Sequence, residues 1–178
     1  MASDEHALTR PADDESFEYY HKYIRLVPPG NVIELAHKQV EELLREFQNL
    51  PEAEAMKLHA PYTWTIKQVV GHLIDAERIF SDRLHKFACG DFQPINGMEQ
   101  EPYVANCDYE TPSMQALVEE LCCCRQANVL LLRRLKPAIW DNRGIASGNP
   151  VTVRALAFIL VGHINYHLQI IRKRLKRD

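Results

Sequence analysis

Residues 65–90 read TIKQVVGHLIDAERIFSDRLHKFACG. Thr65 with Gln68 three positions on forms a capping box, in which two side chains satisfy free backbone N–H groups at a helix start. From there Val69, Leu73, Ala76, Ile79, Phe80 and Arg83 recur at helical spacing. They make one core-facing stripe on a helix that reaches about Ala88. Gly90 is the stop. His72 lies beside the stripe, directly after Gly71.

Three more helical patterns surround this one. Upstream, Asn31-x-x-Glu34 opens a helix carrying Val32, Ala36, Val40, Leu43 and Phe47 and ending before Pro51. Downstream, Thr111-Pro112 has the form of an N-cap followed by proline at the first helical position. Its stripe is Leu117, Leu121, Cys124, Asn128, Leu131 and Leu135, and Pro137 ends it. The last pattern spans about Thr152 to Leu175. Phe17, Tyr19, Tyr20, Tyr23, Ile24 and Leu26, closed by Pro28-Pro29-Gly30, read as a short N-terminal helical arm lying on the main body. Residues 1–16 are polar and are expected to form a flexible N-terminus. Strand signals are nearly absent. The reading is therefore all-α, a four-helix bundle formed by a single domain over residues 17–178. The connection from about Asp91 to Glu110 is long enough for a crossover, so two antiparallel hairpins joined there are expected.

At 178 residues the chain is long enough to bury a core without disulfides or a structural metal. A net charge of -3 leaves no basic footprint for nucleic acid. The basic cluster Arg172, Lys173, Arg174, Lys176 and Arg177 complements the negative end of a helix dipole. No segment approaches the ~20 apolar residues of a membrane span, and the acidic N-terminus is unlike a signal peptide. The expected location is cytoplasmic, with no membrane partner. The five cysteines include the run Cys122-Cys123-Cys124. Successive helical side chains point about 100° apart, so that run cannot close around one metal, and reduced, partly buried thiols are expected.

His163 and His167 are four apart, which places both rings on one face of the last helix. With His72 beside the core stripe of another helix, three imidazoles project toward the bundle interior. Gly71 precedes His72 and Gly162 precedes His163. Each helical glycine costs ~1 kcal/mol relative to alanine, a cost expected where helices approach closely. On these residues alone, a shared metal site and three hydrogen-bonded core histidines both stand. Three nitrogen ligands without thiolate suit Zn, Ni, Fe or related ions and leave a position open for water or substrate.

The stretch from Trp64 through Gly71-His72 to Phe80, with Arg83 and Gly90-Asp91, resembles the signature of the DinB/YfiT-like metalloenzyme family. Gly162-His163-Ile-Asn-Tyr-His167 resembles that family's second signature, and Tyr20-x-x-Tyr23-Ile-x-Leu-Val-Pro, Gly97, Tyr103 and Val104 fit as well. The resemblance implies an up-down-down-up bundle and a metal triad of His72, His163 and His167. It implies one divalent transition metal, Zn or Ni foremost, with Fe or Mn as alternatives. It also implies a small-molecule substrate and, among similar members, a low-molecular-weight thiol as cosubstrate. Two features depart from the family: Cys89 stands where a basic residue is expected, and Phe92–Gly97 differs in a loop placed near the pocket.

Three functions follow for test. In the first, the metal activates a thiol or water for attack on a small electrophile, as an S-transferase would, with Asp75 and Asn165 orienting ligands. Arg83 then holds an anionic group, or else pairs with a carboxylate in the bundle. In the second, the chain is a non-catalytic metal-binding stress-response protein. The third is a metal-dependent hydrolase. Glu77 lies five positions from His72, about 140° around the helix, and so points away from a base's place. A homodimer through the arm and an arm folded back on its own bundle are equally open. Trp140, Asp141 and Arg143 are expected at one end of the bundle.

Overall fold

The computed structural model describes residues 9–176. In chain order the helices are α1 (His21–Ile24), α2 (Val32–Phe47), α3 (Glu52–Ala55), α4 (Ile66–Ala88), α5 (Gln100–Asn106), α6 (Met114–Arg133) and α7 (Val153–Leu175). Strands β1 (Arg143–Ala146) and β2 (Asn149–Thr152) precede α7.

Side-chain caps set the start of each long helix. Asn31 Oδ1 accepts from Ile33 N–H at 2.9 Å. Thr65 and Gln68 exchange both bonds of the capping box at 3.1 and 2.8 Å, and Thr152 caps α7 through Ala155 N–H at 3.0 Å. The third long helix departs from expectation. Its cap is Ser113, which accepts from Ala116 N–H at 3.1 Å. Thr111 is instead part of the preceding turn, where its own N–H donates to Asp108 Oδ1 at 2.9 Å.

Pairs along the helices give their directions. Glu34 meets Arg133 and Val40 meets Cys122, so α2 and α6 are antiparallel. Gln39 meets Asn165 and Glu46 meets Arg172, so α2 and α7 are parallel. Trp64 meets Arg174 while Phe80 meets His163, so α4 and α7 are antiparallel. Lys67 reaches Glu110 and Glu77 reaches Asn128, so α4 and α6 are parallel. The order is up-down-down-up. Packing joins α2 to α6 and α7, and α4 to the same two. Helices α2 and α4 are therefore antiparallel but sit across the bundle diagonal, as do α6 and α7. The expected neighbouring hairpins are corrected to that extent.

Two apolar clusters fill the bundle. One holds Val32, Ala36, Phe80, Leu84, Val129 and Leu156. The other holds Leu43, Val70, Leu73, Leu121, Ile164 and Leu168. Where they meet, each helix contributes a buried polar residue: Gln39, Glu77, Arg125, Asn128 and His163. This polar layer is the level of the site.

The β1–β2 hairpin was not expected. Its strands are four residues long, too short for alternation to register, and its turn is made by Ser147 and Gly148 at φ 54° and 76°. Ile95 from the crossover pairs onto it, donating N–H to Ile145 O and accepting from Ser147 N–H, both at 2.9 Å. The arm folds back on its own bundle: Asn165 Nδ2 donates to Leu26 O at 3.0 Å, and Arg10 Nη2 donates to Val27 O at 2.6 Å. Glu15 accepts from Thr152 Oγ1 and Arg154 Nε at 2.8 and 3.0 Å. Over residues 10–16 the expected flexible N-terminus is thus anchored, while residues 1–8 lie outside the described residues. Trp140 is buried, Asp141 pairs with Arg154 and Arg143 with Asp14, so this connection packs one end of the fold. Arg172 pairs with Glu42 and Glu46, and Arg177 of the basic cluster lies outside the described residues. No helix among them is long and apolar enough to cross a membrane.

Candidate metal centre

Helix α4 supplies His72, and α7 supplies His163 and His167 one turn apart. One ring nitrogen from each lies within 4.8 Å of the others. Nε2 of His163 and Nε2 of His167 are 3.2 Å apart. Two nitrogens each ~2.0–2.1 Å from a tetrahedral ion would keep ~3.3 Å between them. A hydrogen bond between neutral rings has a similar length, so the deciding observation is the third ring. His72 sits 5.2 and 5.0 Å from the other two, centre to centre. Its Nδ1 is buried without a hydrogen-bond partner. Buried polar nitrogens are seldom left in that state. Three convergent imidazoles without thiolate fit a divalent metal ion.

The two helical glycines serve close approaches, but not of one helix to the other. A methyl at Gly71 would overlap the Tyr109 ring. The Tyr109 hydroxyl donates to Asp75 Oδ2 at 2.5 Å. A methyl at Gly162 would overlap the backbone carbonyl of Tyr23. The glycines thus let the crossover and the arm reach the backbone of the two histidine-bearing helices.

A cavity of about 110 Å³ opens beside the histidines. His72 and His163 form one wall, Tyr19, Tyr20 and Tyr23 of the arm form the roof, and Arg83, Ser147 and Gln100 close the far side. Arg83 is 3% exposed. It donates Nη2 to Ser147 Oγ at 3.0 Å and to Asn96 O at 3.2 Å, while its Nε has no partner. Among the described residues it has no carboxylate partner, so the bundle salt bridge held open for it is not formed. The unexpected hairpin and the variant loop Phe92–Gly97 together hold this guanidinium.

A family model for the DinB superfamily matches residues 35–171. The chain belongs to the DinB superfamily. No curated protein matches it. Among solved structures it is similar to YfiT from Bacillus subtilis, a probable metal-dependent hydrolase with an unusual four-helix bundle topology. That likeness has a TM-score of 0.73 at 18% identity over 95% of this chain and 93% of the other. It is also similar to the mycothiol-dependent maleylpyruvate isomerase, with a TM-score of 0.66 at 13% identity. There the alignment covers 82% of this chain and 61% of the other. At these identities the likeness shows the fold. Together with the histidine cluster, the DinB membership suggests a metal ion.

The other residues singled out for this DinB site divide. Asp75 accepts from Tyr109, and Asn165 bridges Gln39 Nε2 at 2.7 Å to Leu26 O at 3.0 Å. Among the described residues, neither has a hydrogen bond to a histidine of the cluster; Asp75 ties α4 to the crossover and Asn165 ties α7 to α2 and the arm. Glu77 points into the polar layer, where it accepts from Arg125 and Asn128. Cys122 is buried, Cys123 exposed and Cys124 half-buried, all as free thiols. The arm tyrosines were legible as an apolar stretch, but Gln100, Met98 and Ser147 were not legible as cavity residues.

Burial lowers all three imidazoles. His72 falls to about 4. His167 falls to about 3, with the nearby His72 and Lys22 adding to burial. His163 falls well below the ordinary range through burial and its two histidine neighbours. All are neutral at pH 7, as ligands must be. In the metal-free protein the unfolded chain binds protons at the ordinary 6.5 before the folded one does, so stability is full above that value and falls as pH drops toward 4. Urea midpoints of chelator-treated protein are expected to fall between pH 7 and pH 5, and midpoints that rise would contradict the burial of these rings.

Proposed function

We propose that the chain is a metal-dependent enzyme. His72, His163 and His167 hold one divalent transition metal, Zn or Ni foremost and Fe or Mn otherwise. The centre serves attack by a low-molecular-weight thiol or water on a small electrophile. The observation that carries this reading is a cluster of three neutral imidazoles, two of which, His72 and His163, share one cavity with an arginine that has no carboxylate partner among the described residues. When bound, the ion supplies Lewis acidity that keeps a coordinated thiol or water deprotonated near neutral pH.

The chain's own residues supply positioning and exclusion of water. Arg83, with a free Nε and a fixed planar fork, offers charge-assisted hydrogen bonds to an anionic group of the substrate. The tyrosine roof and Phe80 close the apolar side. Among the described lining residues there is no carboxylate, and Glu77 is committed to Arg125. A nucleophile that needs no separate base fits such a cavity, and a metal-bound thiol, deprotonated outright where metal-bound water is only partly so, meets that need more fully. The S-transferase-like reading follows, and the mycothiol-dependent neighbour supports it without deciding it.

Cobalt(II)-loaded protein titrated with glutathione or cysteine tests the reading. A thiolate-to-cobalt charge-transfer band is expected, absent in His163→Ala. Turnover is then screened with glutathione and small α,β-unsaturated carbonyl acids, where Arg83→Ala is expected to raise the KM of the acid at least tenfold. No band with any thiol on a metal-loaded protein would overturn the thiol reading in favour of water as nucleophile.

A further inference from the structure

The metal reading leaves the three roof tyrosines without a chemical role, and their surroundings differ. Tyr20 packs edge-on against Phe80, ring centres 6.3 Å apart. Tyr23 is 5% exposed and packs edge-on against His163 and Tyr166 at 5.1 and 5.2 Å. Burial pushes its phenol above the ordinary range. Tyr19 is 51% exposed. Its hydroxyl lies 3.3 Å from that of Tyr23, and Lys22 Nζ sits 3.8 Å from its ring centre. Partial burial alone would raise the Tyr19 phenol, but its hydrogen bond with Tyr23 and the ammonium of Lys22 outweigh it and hold the group below its ordinary value.

The cavity groups other than the phenols are committed. The Arg83 guanidinium and the Ser147 hydroxyl are hydrogen-bonded to each other, and the histidines form the ligand set. Tyr19 and Tyr20 are the remaining partly or fully exposed phenols on the cavity, and of the two it is Tyr19 that has a second hydroxyl and an ammonium beside it to stabilise the anion left by proton release.

We propose that Tyr19 is the proton donor of the reaction, with Tyr23 and Lys22 as its positioning residues. This rests on the enzymatic reading above. As the nucleophile's lone pair bonds to the electrophilic carbon, the π pair of a carbonyl or activated double bond moves to the far atom of that bond. That atom takes the Tyr19 proton. The O–H electrons remain on the Tyr19 oxygen, stabilised by the Tyr23 hydroxyl and the Lys22 ammonium, and water returns the proton. The charged and titratable groups around Tyr19 are Glu18, His21, Lys22 and Arg25 on the arm side. Tyr166 of α7 lies under Lys22, and Arg83, His72 and His163 lie across the cavity.

Ultraviolet difference titration of the metal-loaded protein tests this. One of the seven tyrosines is expected to ionise ahead of the rest. That early tyrosinate should vanish in Tyr19→Phe, move to higher pH in Lys22→Met, and stay in place in Tyr20→Phe. On whichever glutathione–acid pair turns over, Tyr19→Phe is expected to lower kcat by roughly 10²–10⁴-fold with metal content and the KM of glutathione kept. An early tyrosinate that survives Tyr19→Phe, no early tyrosinate at all, or a kcat within a few-fold of wild type would each overturn the proposal. The titration reads out whether or not turnover is found, and a failure to load metal, read separately, sinks the enzymatic reading instead.

Discussion

Glu77→Ala is expected to destabilise the protein by about 3–5 kcal/mol, the cost of leaving a buried charge without its partner. Arg125 is 0% exposed and Glu77 3%. The Arg125 guanidinium donates Nη2 to Glu77 Oε1 at 2.5 Å and to Leu160 O at 2.8 Å, while its Nε and Nη1 have no partner. The pair therefore has little in reserve. Removing the carboxylate strands a guanidinium between two apolar clusters and frees Asn128 Nδ2, which donates to Glu77 Oε2 at 2.8 Å. For a chain of this size the loss corresponds to a drop of roughly 6–20 °C in Tm. Because an apolar replacement of both partners removes the desolvation cost as well, the double variant Glu77→Leu/Arg125→Met is expected to recover most of the loss. Thermal melts of wild type, both single variants and the double variant check this. A single variant as stable as wild type would mean that the ion pair carries no weight in the polar layer.

Gly162→Ala is expected to loosen the N-terminal arm around Tyr23 and with it the roof of the site. The added methyl would sit 3.1 Å from Tyr23 Cα and overlap the Tyr23 carbonyl. Backbone cannot rotate away as a side-chain tip can. Overpacking of this kind costs about 1–3 kcal/mol, set against the ~1 kcal/mol that alanine gains over glycine in a helix. The arm is also seated by Ile24 and Val27, which are buried in the apolar core, by Asn165 on Leu26, by Arg10 on Ile24 and Val27, and by the ring contacts of Tyr20 and Tyr23. Relief requires the arm backbone at Tyr23 to lift from α7, against the burial of Ile24 and Val27. Hydrogen exchange over residues 17–27 is expected to lose protection in the variant while α4 and α6 keep theirs. An arm that stays protected would show that the Gly162 approach is not what seats it.

Much of this architecture is legible in the sequence because it is written in local chemistry. Thr65 with Gln68, Asn31 and Thr152 mark helix starts through side chains that reach their own backbone. The spacing of His163 and His167 places two rings together without any tertiary knowledge. Other features depend on partners distant in sequence. The cap of α6 moves from Thr111 to Ser113 because Asp108 takes the Thr111 N–H. Helices α2 and α4 lie diagonally because each packs on α6 and α7, which connection length does not specify. Gly71 and Gly162 correctly signal close approach, but the approaching groups are Tyr109 and Tyr23, from outside the bundle helices. Arg125 sits one position from the expected Cys124 stripe and reads as surface until Glu77 is seen opposite. Ser147 joins the cavity only through a hairpin too short to announce itself.

The most direct test of the central claim is the metal content of purified, untagged protein by plasma mass spectrometry, beside the His72→Ala/His163→Ala/His167→Ala triple variant. Near one equivalent of a divalent transition metal in the wild type, and none in a variant that still folds by circular dichroism, is the predicted result. No metal in the wild type after exposure to Zn and Ni would contradict it, and would leave three neutral histidines packed at the edge of a plain helical core.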